Sequence, residues 1–466
     1  MQPWIQQVIG LRKYQNMVSR ARALAESFDR DCQTSQDNAI CPPQHDPVGG
    51  ECRAIHDHKT ARFLEVFPAS AALAPLKLEP APASDVPLIR AHMPELDSLR
   101  GIAILLVVLF HGMAPPVHTE LQPSGRWLLT LSQYGWVGVN LFFVLSGFLI
   151  TGILLASRQG ADYFRRFYFR RALRILPALY GTLLVLLIGG WISFRFMAIS
   201  VLFLANFAWV MGVRGGYPIL WSLAVEEHFY LLWPLAVRRC SLRKLMILAA
   251  AVCLGSPLLR ILTLLGRTTP PHIVSLCTWF SLDGLCLGAL LRIWLGMPSF
   301  RRHQLARIAP PVTVVSGAAF LFLTGHRWAD ATVVKSACNL ASAGLLSCML
   351  LLGTSSWRFL VDRPILKFYG FISYGLYLVH IFAFYVSDMV FSNHLSILID
   401  NGKPMLATLL RFASGLLLGT AIAYLSRRSL EERFLRIGCS LGRAPVPSVF
   451  SARGGASVDS PIATNS

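Results

Sequence analysis

Residues 93–112 read MPELDSLRGIAILLVVLFHG, and this stretch decides the fold class. Pro94 followed by Glu95 and Asp97 is a helix start, because proline loses nothing at a first helical position and carboxylates favour the positive end of the helix dipole. From Gly101 to Phe110 ten residues lack a polar side chain, bounded by Arg100 and His111. With Arg100 at the inner surface, His111 lies ~16 Å further on, near the middle of a hydrocarbon core about 30 Å thick. Asp97 is expected to cap the helix while Arg100 snorkels to the headgroups. An imidazole at that depth is costly unless partnered, so it is a candidate functional group.

The remainder of the chain has the same solvent. Its 466 residues are 54% hydrophobic and 14% charged, yet carry a net charge of +19. In a soluble protein that charge would suggest a nucleic-acid partner; with 28 Phe and 11 Trp it points to a lipid bilayer instead, and no nucleic-acid partner is expected. Residues 1–92 are polar, charge-balanced and Pro/Ala-rich towards their end, and read as a disordered extension. Residues 93–440 read as a multi-pass membrane domain, and residues 441–466 as a disordered cytoplasmic tail.

The basic excess sits in five connectors, Arg158–Arg174, Arg238–Lys244, Arg292–Arg307, Arg358–Lys367 and Arg427–Arg443, which hold 22 basic and four acidic residues. The positive-inside rule assigns all five to the cytoplasm, so an even number of crossings must separate each from the next. Spans are expected near 101–115, 134–157, 177–194, 219–237, 245–265, 272–294, 309–325, 336–353, 368–391 and 405–426. A further apolar segment, 198–213, would make the count odd. Flanked by Arg195 and by Gly212, Gly215 and Gly216, it is read as re-entrant. The expected architecture is an all-α integral membrane protein of about ten helices with both termini cytoplasmic. The ten Cys form no disulfide framework, and Cys32, Cys41, His45, Cys52, His56 and His58 lack zinc-knuckle spacing, so no metal is expected.

Depth along the helices brings His111, Glu226, His380 and Asp283 towards one mid-membrane layer. An imidazole beside a carboxylate is suited to general-base chemistry, because the carboxylate fixes the tautomer and stabilises the imidazolium. The bland reading makes the histidines hydrogen-bonded packing residues and Glu226–Glu227 a buried pair satisfied by Arg or Trp. The run YFRRFYFRRALRILP carries Arg165, Arg166, Arg170, Arg171 and Arg174 between aromatic residues. It suits either an amphipathic segment on the inner leaflet or the phosphates and adenine of a coenzyme A tail.

LDSLRGIAILLVVLFHG, GWVGVNLFFVLSGFLIT, YFRRALRILPALY, WSLAVEEHFYLLWPL and FISYGLYLVH, in that order, resemble the acyltransferase-3 family of integral membrane O-acyltransferases. The resemblance spans roughly Pro94 to Leu435. It implies a multi-pass protein of the bacterial cytoplasmic membrane that moves an acyl group, usually acetyl, from cytoplasmic acyl-CoA to a hydroxyl of a surface or lipid-linked carbohydrate. It further implies catalytic roles for Arg100, His111 and Glu226, with His111 as general base or transient acyl acceptor. Arg165 to Arg174 would bind the donor, and Trp221, Ser222 and His380 the substrate. Departures are His228 where the family usually has Gln, Ser281 where Arg often precedes the carboxylate Asp283, and Glu431-Glu432-Arg433 without a following Pro. Intramembrane His and Glu also serve proton relays, so a secondary transporter or flippase is the alternative, although no second copy of the Arg100–His111 pattern marks an internal repeat.

Overall fold

The computed structural model describes residues 87–90, 92–113, 123–213, 216–266, 276–324, 333–434 and 436. Most of the extension, including Cys32, Cys41, His45, Cys52, His56 and His58, and the tail from 437 onward lie outside the described residues, as does Gly215. Among the described residues twelve α-helices occur and no strand. They are α1 (Pro94–Gly112), α2 (Pro123–Ser132), α3 (Val137–Ser157), α4 (Tyr163–Ile188), α5 (Phe194–Val201), α6 (Leu220–Arg239), α7 (Leu242–Leu265), α8 (Leu282–Leu295), α9 (Arg302–Leu323), α10 (Val333–Gly353), α11 (Pro364–Asp400) and α12 (Pro404–Ser426).

Seven helical stretches are long and apolar enough to cross a bilayer: 127–157, α4, α7, α9, α10, α11 and α12 with its continuation to Phe434. Leu254, Phe322 and Ile188 on α7, α9 and α4 are at least 75% exposed. In water such surfaces would be a liability; in lipid they are the ordinary outer wall of a bundle. Four of the helices fall outside these stretches: α5, which has eight residues, and α1, α6 and α8. Charged residues dilute α1 (Glu95, Asp97, Arg100) and α6 (Glu226, Glu227, Arg238), and α8 has only 14 residues.

Within the bundle, α1 packs against α11 and α3, and α3 against α8, while α11 pairs with α12, α8 with α7, and α9 with α10. Glycines permit the closest of these approaches. A Cβ on Gly101 would strike the carbonyl of Leu366, and one on Gly370 the carbonyl of Asp97, so α1 and α11 meet backbone to backbone. Gly147 against the Leu285 carbonyl and Gly288 against that of Val144 repeat the arrangement between α3 and α8. Without water to drive helices together, such small-residue contacts supply dispersion energy that larger side chains would hold off.

Several boundaries differ from expectation. Helix α1 begins at Pro94 with Met93 as its uncapped N-cap residue, so Asp97 lies inside the helix and caps nothing. The arginine-rich run joins the apolar segment after it in one 26-residue helix through Pro177. Segment 198–213 forms no long helix. After α5 come a left-handed Phe203 (φ 57°), a 3₁₀ turn at Ala205–Phe207 and a left-handed Gly212 (φ 67°), two reversals that a continuous helix cannot contain. Segment 272–294 has its α-helix only from Leu282, preceded by a 3₁₀ turn at Thr278–Phe280. His228 Nδ1 lies 2.7 Å from Thr278 Oγ1, which also accepts from Asn206 Nδ2 at 2.9 Å. The unusual histidine therefore ties α6 to the folded-back segment.

Candidate active site

A cavity of about 340 Å³ opens between α1, α3, α4, α6 and α11. Arg100 from α1, Arg171 and Arg174 from α4, Ser222 from α6 and Tyr377 from α11 stand in its wall, with His92. Arg171 and Arg174 are three residues apart on one helix, which puts them on one face. Arg165, Arg166 and Arg170 are exposed and do not line the cavity, so the five arginines read together from sequence divide into two inside and three outside.

Glu226 belongs to the cavity wall and not to a pair with an imidazole. Its Oε1 accepts from Ser146 Oγ at 3.1 Å and its Oε2 from Tyr230 Oη at 3.3 Å. The Arg171 guanidinium carbon lies over the Tyr230 ring, 3.1 Å from its centroid, and one of its nitrogens sits 3.4 Å from Glu227 Oε1. Glu226, Tyr230, Arg171 and Glu227 thus form one polar chain down α6 and across to α4. A cation desolvated on an aromatic face gains roughly 2 kcal/mol and still presents its edge to an anion. Arg100 lies within Coulomb reach of Asp97 and Glu226, and Arg174 of Arg100 and Arg171, giving the cavity three clustered cations.

The histidines pair with each other. His380 Nε2 lies 3.2 Å from His111 Nδ1, and the ring centroids are 4.9 Å apart. His380 Nδ1 lies 2.8 Å from the Tyr377 carbonyl and 3.2 Å from that of Leu376. Carbonyl oxygens only accept, so this nitrogen carries the proton and His380 Nε2 is an acceptor. His111 Nδ1 faces that acceptor and the Val107 carbonyl at 2.9 Å, and so is protonated too. The remaining lone pair is on His111 Nε2. A neutral imidazole thus occupies the place where a carboxylate was expected, and it can hold the His111 tautomer without bringing a charge into the membrane.

Tyr377 stands between the cavity and this pair. Its hydroxyl lies 2.5 Å from Ser222 Oγ, its ring 5.8 Å from that of His380, and Phe142 meets it edge-on at 6.3 Å. Trp221 does not line the cavity; it packs edge-on against Phe143, with Lys335 Nζ 5.5 Å from its ring centre. Asp283 does not line the cavity. It pairs at 2.8 Å with the fully buried Arg260 of α7, which also donates to Ser336 Oγ of α10 at 2.5 Å.

Sequence reasoning missed Ser146, Tyr230 and Tyr377. Two signals were available: Tyr230 follows Glu226 by four residues and Tyr377 precedes His380 by three, the spacings that share a helix face. Ser146 carried no such signal, because its relation to Glu226 exists only across the α3–α6 contact.

Among known proteins, 31% identity over 157 residues relates the chain to the peptidoglycan O-acetyltransferase OatA of Listeria monocytogenes serovar 1/2a, covering 30% of this chain and 23% of that protein. Identity with YrhL of Bacillus subtilis (strain 168) is 35% over 158 residues, covering 29% and 22%. The matched part spans less than a quarter of these relatives. No solved structure matches. A family model described as an acyltransferase domain matches residues 93–428, from the start of α1 to just past the end of α12. The match takes in both members of the histidine pair and every residue that lines the cavity except His92, and the chain belongs to this acyltransferase-3 family.

Proposed function

We propose that the protein is a membrane O-acyltransferase that moves an acyl group, acetyl in the simplest case, from cytoplasmic acyl-CoA to a hydroxyl of a surface or lipid-linked glycan. The observation that carries the reading is the cavity with three arginines in its wall and a hydroxyl pair, Ser222 and Tyr377, one helical turn short of the His111–His380 pair. Arg100, Arg171 and Arg174 offer guanidinium forks to the donor's phosphates. Arg100 and His111 are 11 residues apart on α1, so the thioester would lie ~16 Å beyond the phosphates.

His111 Nε2 takes the proton of the acceptor hydroxyl as that oxygen attacks the thioester carbonyl. The C–S bond breaks, the new ester leaves, and the proton passes to the departing CoA thiolate. His380 Nε2 accepts from His111 Nδ1–H throughout and stabilises the transient imidazolium. Membership of the acyltransferase family supports the reaction class. The name of the Listeria relative makes a peptidoglycan-type glycan the first acceptor to test. In this reading α1, α6 and α8 also cross the bilayer, giving ten crossings, both termini inside, and residence in a bacterial cytoplasmic membrane. Charged residues, Arg100 and Glu226 of the cavity among them, lower the hydropathy of α1 and α6, and α8 is short.

The test is to express the wild type, His111→Ala and His380→Phe in a host lacking the gene and to measure base-labile acetyl esters on its surface glycan. Esters should be lost in His111→Ala and fall about a hundredfold in His380→Phe, the scale of a misdirected general base. Undiminished esters in His111→Ala would exclude the mechanism, and accumulation of unmodified glycan inside the cell would favour transport.

A further inference from the structure

The outer end of α1 is held by a buried ion pair that the mechanism above does not use. Arg411 of α12 places Nε 2.6 Å from Asp388 Oδ1 and Nη2 2.9 Å from Asp388 Oδ2, a two-pronged pair with α11. Its third nitrogen, Nη1, donates to the carbonyl of Gly112 at 2.7 Å. Gly112 follows His111 and is the last residue of α1, so this is one of the carbonyls that a helix leaves without an internal partner. The arginine is 8% exposed and its guanidinium lies 5.5 Å from the centre of the Phe384 ring. That ring fills the space beside Gly112 so closely that a Cβ there would overlap it. Ser387 and Ser414, one residue before Asp388 and three after Arg411, hydrogen-bond at 2.6 Å and fasten the same two helices.

We infer that Arg411 and Asp388 are positioning residues for His111: the carboxylate aims the guanidinium, and the guanidinium clamps the carbonyl next to the base. The observation is specific to this end of the helix. His380 sits two helical turns from Asp388 on α11, so one helix carries both the partner of the histidine and the anchor of its clamp. Loss of the clamp would leave α1 in place along most of its length, because Gly101 and Gly370 lock its inner half against α11. Only the last turn, with His111 in it, would be released. The inference rests on His111 as the base, and its test is chosen to be decided separately from that reading.

The test replaces the pair by apolar residues of similar size, Arg411→Met with Asp388→Leu, in the full-length chain. Removing both charges together avoids stranding one of them, and such exchanges commonly leave stability unchanged or improved. Carbethoxylation of His111 by diethylpyrocarbonate in membrane vesicles, followed by mass spectrometry, should accelerate several-fold while the melting temperature in detergent stays within a few degrees. Thiol release from acetyl-CoA by inside-out vesicles should lose about 10- to 100-fold in kcat with KM unchanged, as expected when a base is displaced by a fraction of an ångström. An unchanged carbethoxylation rate overturns the proposal, and so does a kcat loss that tracks a fall in melting temperature. If wild-type vesicles release no more thiol than His111→Ala vesicles, acyl-CoA chemistry fails while the carbethoxylation rate still decides the clamp. Arg411→Lys, which keeps the charge but not the fork, should fall between wild type and the apolar pair.

Discussion

At the scale of single residues, identical side chains in one short run have different surroundings. Arg165 and Arg171 lie within seven residues of each other, yet one is exposed and the other lies on Tyr230 beside Glu227 inside the cavity. The proposed donor site therefore makes a selective prediction. Arg171→Lys removes the planar fork and should raise KM for acetyl-CoA about tenfold, whereas Arg165→Ala should leave it within about twofold. Initial-rate kinetics on membrane vesicles decide this, and equal shifts for both would reduce the whole run to a topology signal. His111, Arg100 and Glu226 could be found from sequence because depth and charge make them anomalous in lipid. Their partners could not. A sequence gives His380 a depth but not a neighbour, and the expectation of a carboxylate beside His111 failed because Glu226 faces Ser146 and Tyr230 instead.

At the scale of elements, buried charge marks where helices are fastened. Arg260, fully buried on α7, reaches Asp283 on α8 and Ser336 on α10, so it staples three helices at once. Asp283→Leu alone strands that guanidinium and should cost about 3–5 kcal/mol of stability. Adding Arg260→Met should recover most of it. Thermal unfolding in detergent measures both, and a single variant as stable as the double would show that the pair fastens nothing. The glycine contacts are the apolar counterpart. Gly147→Leu would drive its side chain into the Leu285 backbone, which cannot yield as a flexible side chain would. Helix positions were legible in the apolar runs, since a segment that must bury every backbone group in lipid has few alternatives. The 3₁₀ turns and the left-handed Phe203 were not, because no proline or glycine signals them at those positions.

At the scale of the whole molecule, the charge asymmetry predicts which ends of the bundle face the cytoplasm. In a cysteine-free background, Arg165→Cys, Arg239→Cys, Arg301→Cys and Arg358→Cys should all resist a membrane-impermeant maleimide added outside intact cells and react in inside-out vesicles. Labelling of any one from outside would break the pairing of crossings and with it the ten-span arrangement.

Sequence alone determined the solvent of this protein, the places where its chain becomes helical, and the handful of polar residues too expensive to be incidental. Those follow from one-dimensional facts: the length of apolar runs against the thickness of a bilayer, and the cost of charge within it. Tertiary structure alone decided which of those residues meet. It separated Asp283 from the site, moved Glu226 to the cavity wall, joined His111 to His380, and set Arg411 against the end of α1. Helix register fixes the depth of a side chain but leaves its azimuth to packing. Azimuth here is set by backbone contacts at glycines such as Gly101 and Gly147, whose neighbours lie hundreds of residues away in the chain.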